Sequence, residues 1–241
     1  MLSYKSIDGW FDFEQLYLDV FNYHCHYKNK DNLHFVEVGA WLGKSTCFLA
    51  NLIKQSGNGK NIKFDVVDWW QGSLTDYEHN NFADDVNKIP DYPYRKFLNN
   101  MRKAGVINYI NPIKMRSEDA VKNYLNESLD FVFIDASHVY DEIKHDLEIW
   151  YPKVKNDGIF AGHDYTHNHP DVVRAVNEFF HNINKKFISH GNDGDLGGSW
   201  LHVKSEDFNY AFNTMQTIEQ SMENMETWKK KLEEWEKMKG N

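Results

Sequence analysis

Two short apolar runs in this sequence end in a carboxylate and an imidazole. Leu129 to Phe133 leads into Ile134-Asp135-Ala136-Ser137-His138, and Ile159-Phe160-Ala161 leads into Gly162-His163-Asp164-Tyr165. A single histidine is usually structural, but two Asp-His pairs at adjacent strand ends converge on one crevice. There Asp135, His138, His163 and Asp164 could supply a base and an oxygen-and-nitrogen ligand set for a divalent ion.

A third place is the turn Glu37-Val38-Gly39-Ala40-Trp41-Leu42-Gly43-Lys44-Ser45-Thr46. Its glycines let the backbone bend sharply, and the N–H groups of a following helix point into the crevice at the strand's carboxyl end. A P-loop needs four residues before its Gly-Lys pair and this turn has Ala40 to Leu42 only. A dinucleotide fingerprint needs a glycine where Trp41 stands. What is left is acid-x-Gly-x-x-x-Gly, with Asp68 ending the next apolar run, where a carboxylate accepts from a ribose diol.

Positioning these groups requires strands alternating with helices. Runs of strand length fall near His34 to Gly39, Ile62 to Asp68, Ile107 to Ile113, Leu129 to Asp135 and Gly158 to Gly162, with helical periods between them. Lys155-Asn156-Asp157-Gly158 reads as the tight turn into the fifth. Lys186 to His190 and Ser199 to Lys204, around the turn-rich Gly191 to Gly198, read as an antiparallel edge hairpin. The expectation is an α/β, doubly wound, mostly parallel seven-stranded sheet. Residues 1–30 form a helical segment, with Trp10, Phe13, Leu16, Tyr17, Val20 and Phe21 packing into the core. A Met-rich and Trp-rich stripe from Met215 to Trp235 makes 206–241 a long amphipathic helical arm, read as a homo-oligomer contact. Aperiodic Trp69 to Tyr94 reads as a lid or substrate loop inside the domain 31–205.

Composition narrows the class. At 241 residues, 41% hydrophobic and 15% aromatic, the chain can bury a core as one elaborated domain. Lys and Arg number 27 against 36 Asp and Glu, and a net charge of −9 without a basic patch argues against a nucleic-acid partner. No membrane-length apolar run and no leader-like start are visible, so a cytoplasmic protein is expected. Cys25 and Cys47 are expected to be reduced structural thiols.

The series FVEVGAWLGKST, FDVVDWW, MRSEDA, DFVFIDASHVYDEIKHDLEIWYPKVKNDGIFAGHDY and DVVRAVNEFF resembles the class I S-adenosylmethionine-dependent methyltransferases, in the branch of macrocin-type sugar O-methyltransferases. The likeness runs from about Phe35 to Phe180. It implies a Rossmann-like fold and S-adenosylmethionine as cofactor. By that resemblance Glu37 and the turn Gly39, Ala40, Trp41 and Gly43 hold its methionine part, Ser45 and Thr46 belong to the same cofactor site, Asp68 holds its ribose, Trp69 lies beside its adenine, and Ser117 and Glu118 meet its amino edge. Asp135 lies nearest the sulfonium. The resemblance further implies a divalent metal (Mg, Mn, Fe or Zn) on Asp135 and Asp164. His163 stands where relatives often carry a carboxylate, a change that suits Mn, Fe or Zn better than Mg.

The expected reaction is O-methylation of a sugar or other small polyhydroxylated acceptor, with His138 taking the hydroxyl proton beside Asp135. Two other readings keep the cofactor site: hydroxylase-like or hydrolytic chemistry, and a non-catalytic S-adenosylmethionine-binding subunit of a partner.

Overall fold

The computed structural model describes residues 2–57, 61–72, 91–193 and 196–205. Positions 73–90 of the expected lid and the whole expected arm 206–241 lie outside them. Seven strands, β1 (Asn32–Val38), β2 (Asn61–Asp68), β3 (Asn111–Lys114), β4 (Leu129–Ile134), β5 (Val154–Tyr165), β6 (Ile188–Asp193) and β7 (Gly197–Val203), make one sheet in the order β3-β2-β1-β4-β5-β7-β6. The first five are parallel, and β5–β7 and β7–β6 pair antiparallel.

Period-two alternation sends β4 side chains to two cores. Phe131 and Phe133 meet α1 (Glu14–Asn22), α2 (Lys44–Gln55) and α3 (Tyr92–Ala104) through Tyr17, Leu49 and Phe97. Val132 and Ile134 meet α4 (Ser117–Ala120), α5 (Tyr140–Trp150) and α6 (Pro170–Asn182) through Ala120, Leu147 and Val176. All six β4 residues are buried, as a central parallel strand covered on both faces requires. Each large side chain so buried contributes roughly 1.5–3 kcal/mol. Cys25 and Cys47 are buried thiols. Among the described residues no helix is long and apolar enough to cross a membrane.

Three expectations need correction. Ile107–Tyr109 is a 3-10 turn, and the third strand is the short edge β3, where Pro112 can sit because an edge strand tolerates a missing donor. Lys155 to Gly158 is not a turn into β5 but part of it: Asp157 N–H donates to Lys204 O at 2.7 Å, and the register with β4 shifts between Leu129 and Phe131. Trp10 precedes α1 and is 61% exposed, while Phe13, Leu16, Tyr17, Val20 and Phe21 are buried as expected.

Candidate active site

The chain leaves β1 toward β2 and β3 on one side and returns to β4 and β5 on the other, which opens a crevice beyond the carboxyl ends of β1 and β4. Gly39 makes that crevice possible. Its φ is +89°, and a Cβ there would lie 1.8 Å from Asp135 O, so only glycine lets the β1 turn cross the end of β4. The crevice has two lobes, of about 550 Å³ and about 400 Å³, that share Gly39, Ala40, Trp41 and Asp135.

In the larger lobe, the Asp68 carboxylate accepts from the main-chain N–H groups of Ala40 and Trp41 (2.8 Å each) and of Trp70 (2.5 Å). It thereby fixes the glycine turn as well as lining the lobe. Trp69 lines the wall with the Arg116 guanidinium 4.9 Å from its ring centroid. Ser117 and Glu118 come from α4, opposite Asp141, Glu142, His145 and Asp146 of α5. Trp150 Nε1–H donates to Ser117 Oγ (2.7 Å), and Ser117 Oγ donates to Asp146 Oδ1 (2.5 Å). Burial pushes the Asp146 carboxyl up to about 7, against the lowering by Ser117 and with the help of Glu118 and Glu142.

To the glycine turn that both lobes share, the smaller lobe adds three separated stretches. Asp135 and His138 follow β4, His163 and Asp164 end β5, and Asp8, Gly9, Trp10 and Asp12 come from the N-terminal segment. The β5–β7 register breaks between Gly162 and Tyr165, and Asp164 sits at φ +58°, so the irregularity re-aims its carboxylate into the lobe. Asp164 Oδ2 lies 2.9 Å from His138 Nε2, and Asp164 Oδ1 lies 3.2 Å from His163 Nδ1 and 3.5 Å from His169 Nε2. His163 is also 2.7 Å from Asp12 through Nε2 and 3.7 Å from Asp135 through Nδ1. Burial opposes charge on His163, but Asp12, Asp135 and Asp164 outweigh it and raise its pKa to about 12. Burial likewise opposes ionisation of Asp164, which His138 and His163 nonetheless hold below the usual carboxylate range.

The expected residues thus divide. Gly39, Ala40, Trp41, Asp68, Trp69, Ser117, Glu118 and Asp135 line the larger lobe, and Ser45, Asp135, His138, His163 and Asp164 line the smaller. Glu37, Gly43 and Thr46 line neither. Glu37 is buried behind the turn, where Tyr17 Oη–H donates to Oε1 at 2.7 Å and Thr46 Oγ1–H to Oε2; burial lifts its carboxyl to about 7 against those bonds. Its carboxylate supports the turn rather than facing the cavity. A Cβ on Gly43 would strike Met101 and Phe97 of α3, so that glycine serves close packing. Sequence reasoning missed Asp8, Trp10, Asp12 and His169, which reach the lobe only through tertiary folding. It also missed Asp146, although an acid amid Ile143, Leu147 and Trp150 on the buried stripe of α5 was a readable signal.

The profile of a family described as methyltransferase domain matches residues 36–165. None of the curated proteins matches in sequence. Among solved structures, the O-methyltransferase NovP is similar at a TM-score of 0.61 and 16% identity, covering 80% of each chain. The O-methyltransferase from Bacillus cereus, in complex with SAH, has a TM-score of 0.51 and 14% identity over 81% of this chain and 82% of its own. TomG from Streptomyces achromogenes, in complex with SAM, has a TM-score of 0.50 and 13% identity over 78% of each. At these identities the likeness establishes a shared fold.

Proposed function

This chain belongs to the methyltransferase-domain family, and from that premise we propose that it binds S-adenosylmethionine in the larger lobe and methylates a hydroxyl of a sugar or other small polyhydroxylated acceptor in the smaller. The observation that carries the reading is the junction: the lobes meet at Asp135 and the Gly39–Trp41 turn, where a methyl group could pass from one ligand to the other.

The larger lobe suits the cofactor chemically. Asp68, Glu118, Asp135, Asp141, Glu142 and Asp146 line it against Arg116 as the one Lys or Arg among its described lining residues, a balance that favours a cationic ligand rich in donors. Trp69 offers a flat face for a purine. The structures of the Bacillus cereus enzyme with SAH and of TomG with SAM support the same assignment by analogy of fold. When bound, S-adenosylmethionine supplies a methyl carbon on a sulfonium, whose S–C bond breaks as the acceptor's O–C bond forms.

The chain's own task is then to align the acceptor and take its proton. His138 Nδ1 is buried, so Nε2 is the nitrogen available to the lobe. His138 Nε2 and Asp164 Oδ2 stand 2.9 Å apart, so an acceptor hydroxyl must come between them; Nε2 of the Nδ1–H tautomer then accepts its proton, and the adjacent carboxylate balances the imidazolium that results. The ion-holding role expected of Asp135, His163 and Asp164 meets a difficulty in the donor set. Those three offer atoms within 4.8 Å of one another. Yet both nitrogens of His163 face carboxylates, an arrangement that calls for N–H on each and leaves no lone pair for a metal. No step is therefore derived through an ion at that set.

Calorimetric titration with S-adenosylhomocysteine should show saturable binding, and tritium from methyl-labelled cofactor should appear in members of a panel of sugars and polyols. A chain indifferent to S-adenosylhomocysteine would overturn the reading. Cofactor cleavage without a methylated product would instead favour hydrolytic chemistry.

A further inference from the structure

We propose that His138, Asp164 and His169 form a second, nitrogen-rich site that holds a late first-row divalent ion such as Zn²⁺. Ligand atoms from these three side chains all lie within 4.8 Å of one another. His138 Nε2 is 2.9 Å from Asp164 Oδ2, His169 Nε2 is 3.5 Å from Asp164 Oδ1, and the two imidazole rings are 4.0 Å apart between centroids. Donors about 2.0–2.1 Å from a tetrahedral ion stand about 3.3 Å from each other, so small side-chain rotations close the set.

Backbone and surroundings hold these groups toward one point. His169 caps α6, with its N–H donating to Thr166 O at 3.1 Å and its carbonyl accepting from Val172 and Val173, so its ring is carried on a fixed main chain. Asp164 is carried by the break in β5 described above. His163 Nδ1 at 3.2 Å orients the shared carboxylate from outside the set, as partners of metal-binding carboxylates commonly do. All three ligands line the smaller lobe and are partly exposed to it, which leaves an entry path and open coordination positions. Two imidazoles and one carboxylate select Zn²⁺, Co²⁺ or Fe²⁺ over Mg²⁺, which prefers oxygen donors and retained water.

Ligation at His138 Nε2 and proton acceptance at the same atom exclude each other. An ion here would withdraw His138 from proton transfer, and that consequence rests on the methyl-transfer reading, whereas ion binding itself does not.

Chelator-stripped full-length protein titrated with Co²⁺ should develop visible d–d absorption that Zn²⁺ abolishes and excess Mg²⁺ leaves intact. His169→Ala should weaken Co²⁺ at least about tenfold, whereas Asp135→Asn, which touches only the other candidate set, should retain it. If His169→Ala does not fold, nitrogen-detected histidine spectra of the wild type serve instead: Zn²⁺ should shift two coupled imidazole Nε2 signals. Wild-type Co²⁺ affinity in His169→Ala, loss of the band in Asp135→Asn, equal competition by Mg²⁺, or unmoved imidazole signals would each overturn the site. S-adenosylhomocysteine binding on the same sample separates the two readings: its presence without a Co²⁺ signal sinks this inference alone, and a Co²⁺ signal without it sinks the proposed function alone.

Discussion

The two lobes of the crevice hold their carboxylates by different means. Asp68 is fixed by three main-chain N–H groups and Asp146 by the Ser117 hydroxyl, donors that do not titrate near neutrality. Asp164 and Asp12 are fixed by the imidazoles of His138, His163 and His169. The first arrangement suits recognition, because the main-chain donors on Asp68 keep their protons at any pH; the second places ionisable side chains where a proton has to move. Damage to the smaller lobe should therefore strike turnover or acceptor affinity and spare cofactor affinity, and damage to the larger should strike cofactor affinity first.

The largest expected effect tests that contrast at His138. His138→Ala should lower turnover roughly 10² to 10⁴-fold, with S-adenosylhomocysteine affinity retained in calorimetry. Unchanged turnover on an acceptor found by the tritium screen would remove His138 from proton transfer, and lost cofactor affinity would erase the division between lobes.

Asp146 supplies a thermodynamic test. Its folded pKa of about 7 stands above the ordinary 3.8, so the folded chain retains a proton that the unfolded chain releases. The sign follows: stability from this group is fully present below about pH 4, falls as pH rises toward 7, and is level beyond. Asp146→Asn keeps an acceptor for Ser117 and removes the slope. Each tenfold difference in proton affinity between the folded and unfolded chain is worth roughly 1.4 kcal/mol, so the variant should gain on the wild type by roughly 2–4 kcal/mol between pH 4 and pH 8. Parallel stability curves in urea at the two pH values would show that Asp146 is ionised in the folded chain.

How much of this was legible beforehand depends on whether a feature is local. The glycine turn, Asp68 and the two Asp-His pairs follow from short spacings at strand ends, and the mostly parallel sheet covered by helices follows from alternating periods. Glu37 is legible as the end of its strand but not as a residue behind the turn, because only the fold brings Tyr17 against it, 20 positions away. The polar Lys155 to Gly158 stretch has the composition of a turn, and only pairing with Lys204 makes it strand. Asp12 meets His163 across 151 positions, a contact that no window of sequence contains.

The smallest predicted effect concerns that same N-terminal wall. Trp10 stands exposed on the rim of the smaller lobe between Asp8 and Asp12, and Lys44 Nζ donates to Gly9 O at 2.8 Å, so the segment presenting it is pinned to α2. An exposed ring beside carboxylates is how a protein offers a sugar an apolar face and hydroxyl acceptors together. Trp10→Ala removes a stacking contribution of about 0.5–1.5 kcal/mol, which should raise the acceptor's KM about two- to tenfold. The kcat, the melting temperature and S-adenosylhomocysteine affinity should stay where they were, because Trp10 lines only the smaller lobe and buries little on folding. A fall in kcat with unchanged KM would place Trp10 in transition-state alignment instead. A loss of cofactor affinity would mean that the N-terminal segment serves both lobes, and the division between them would fail at its outer wall.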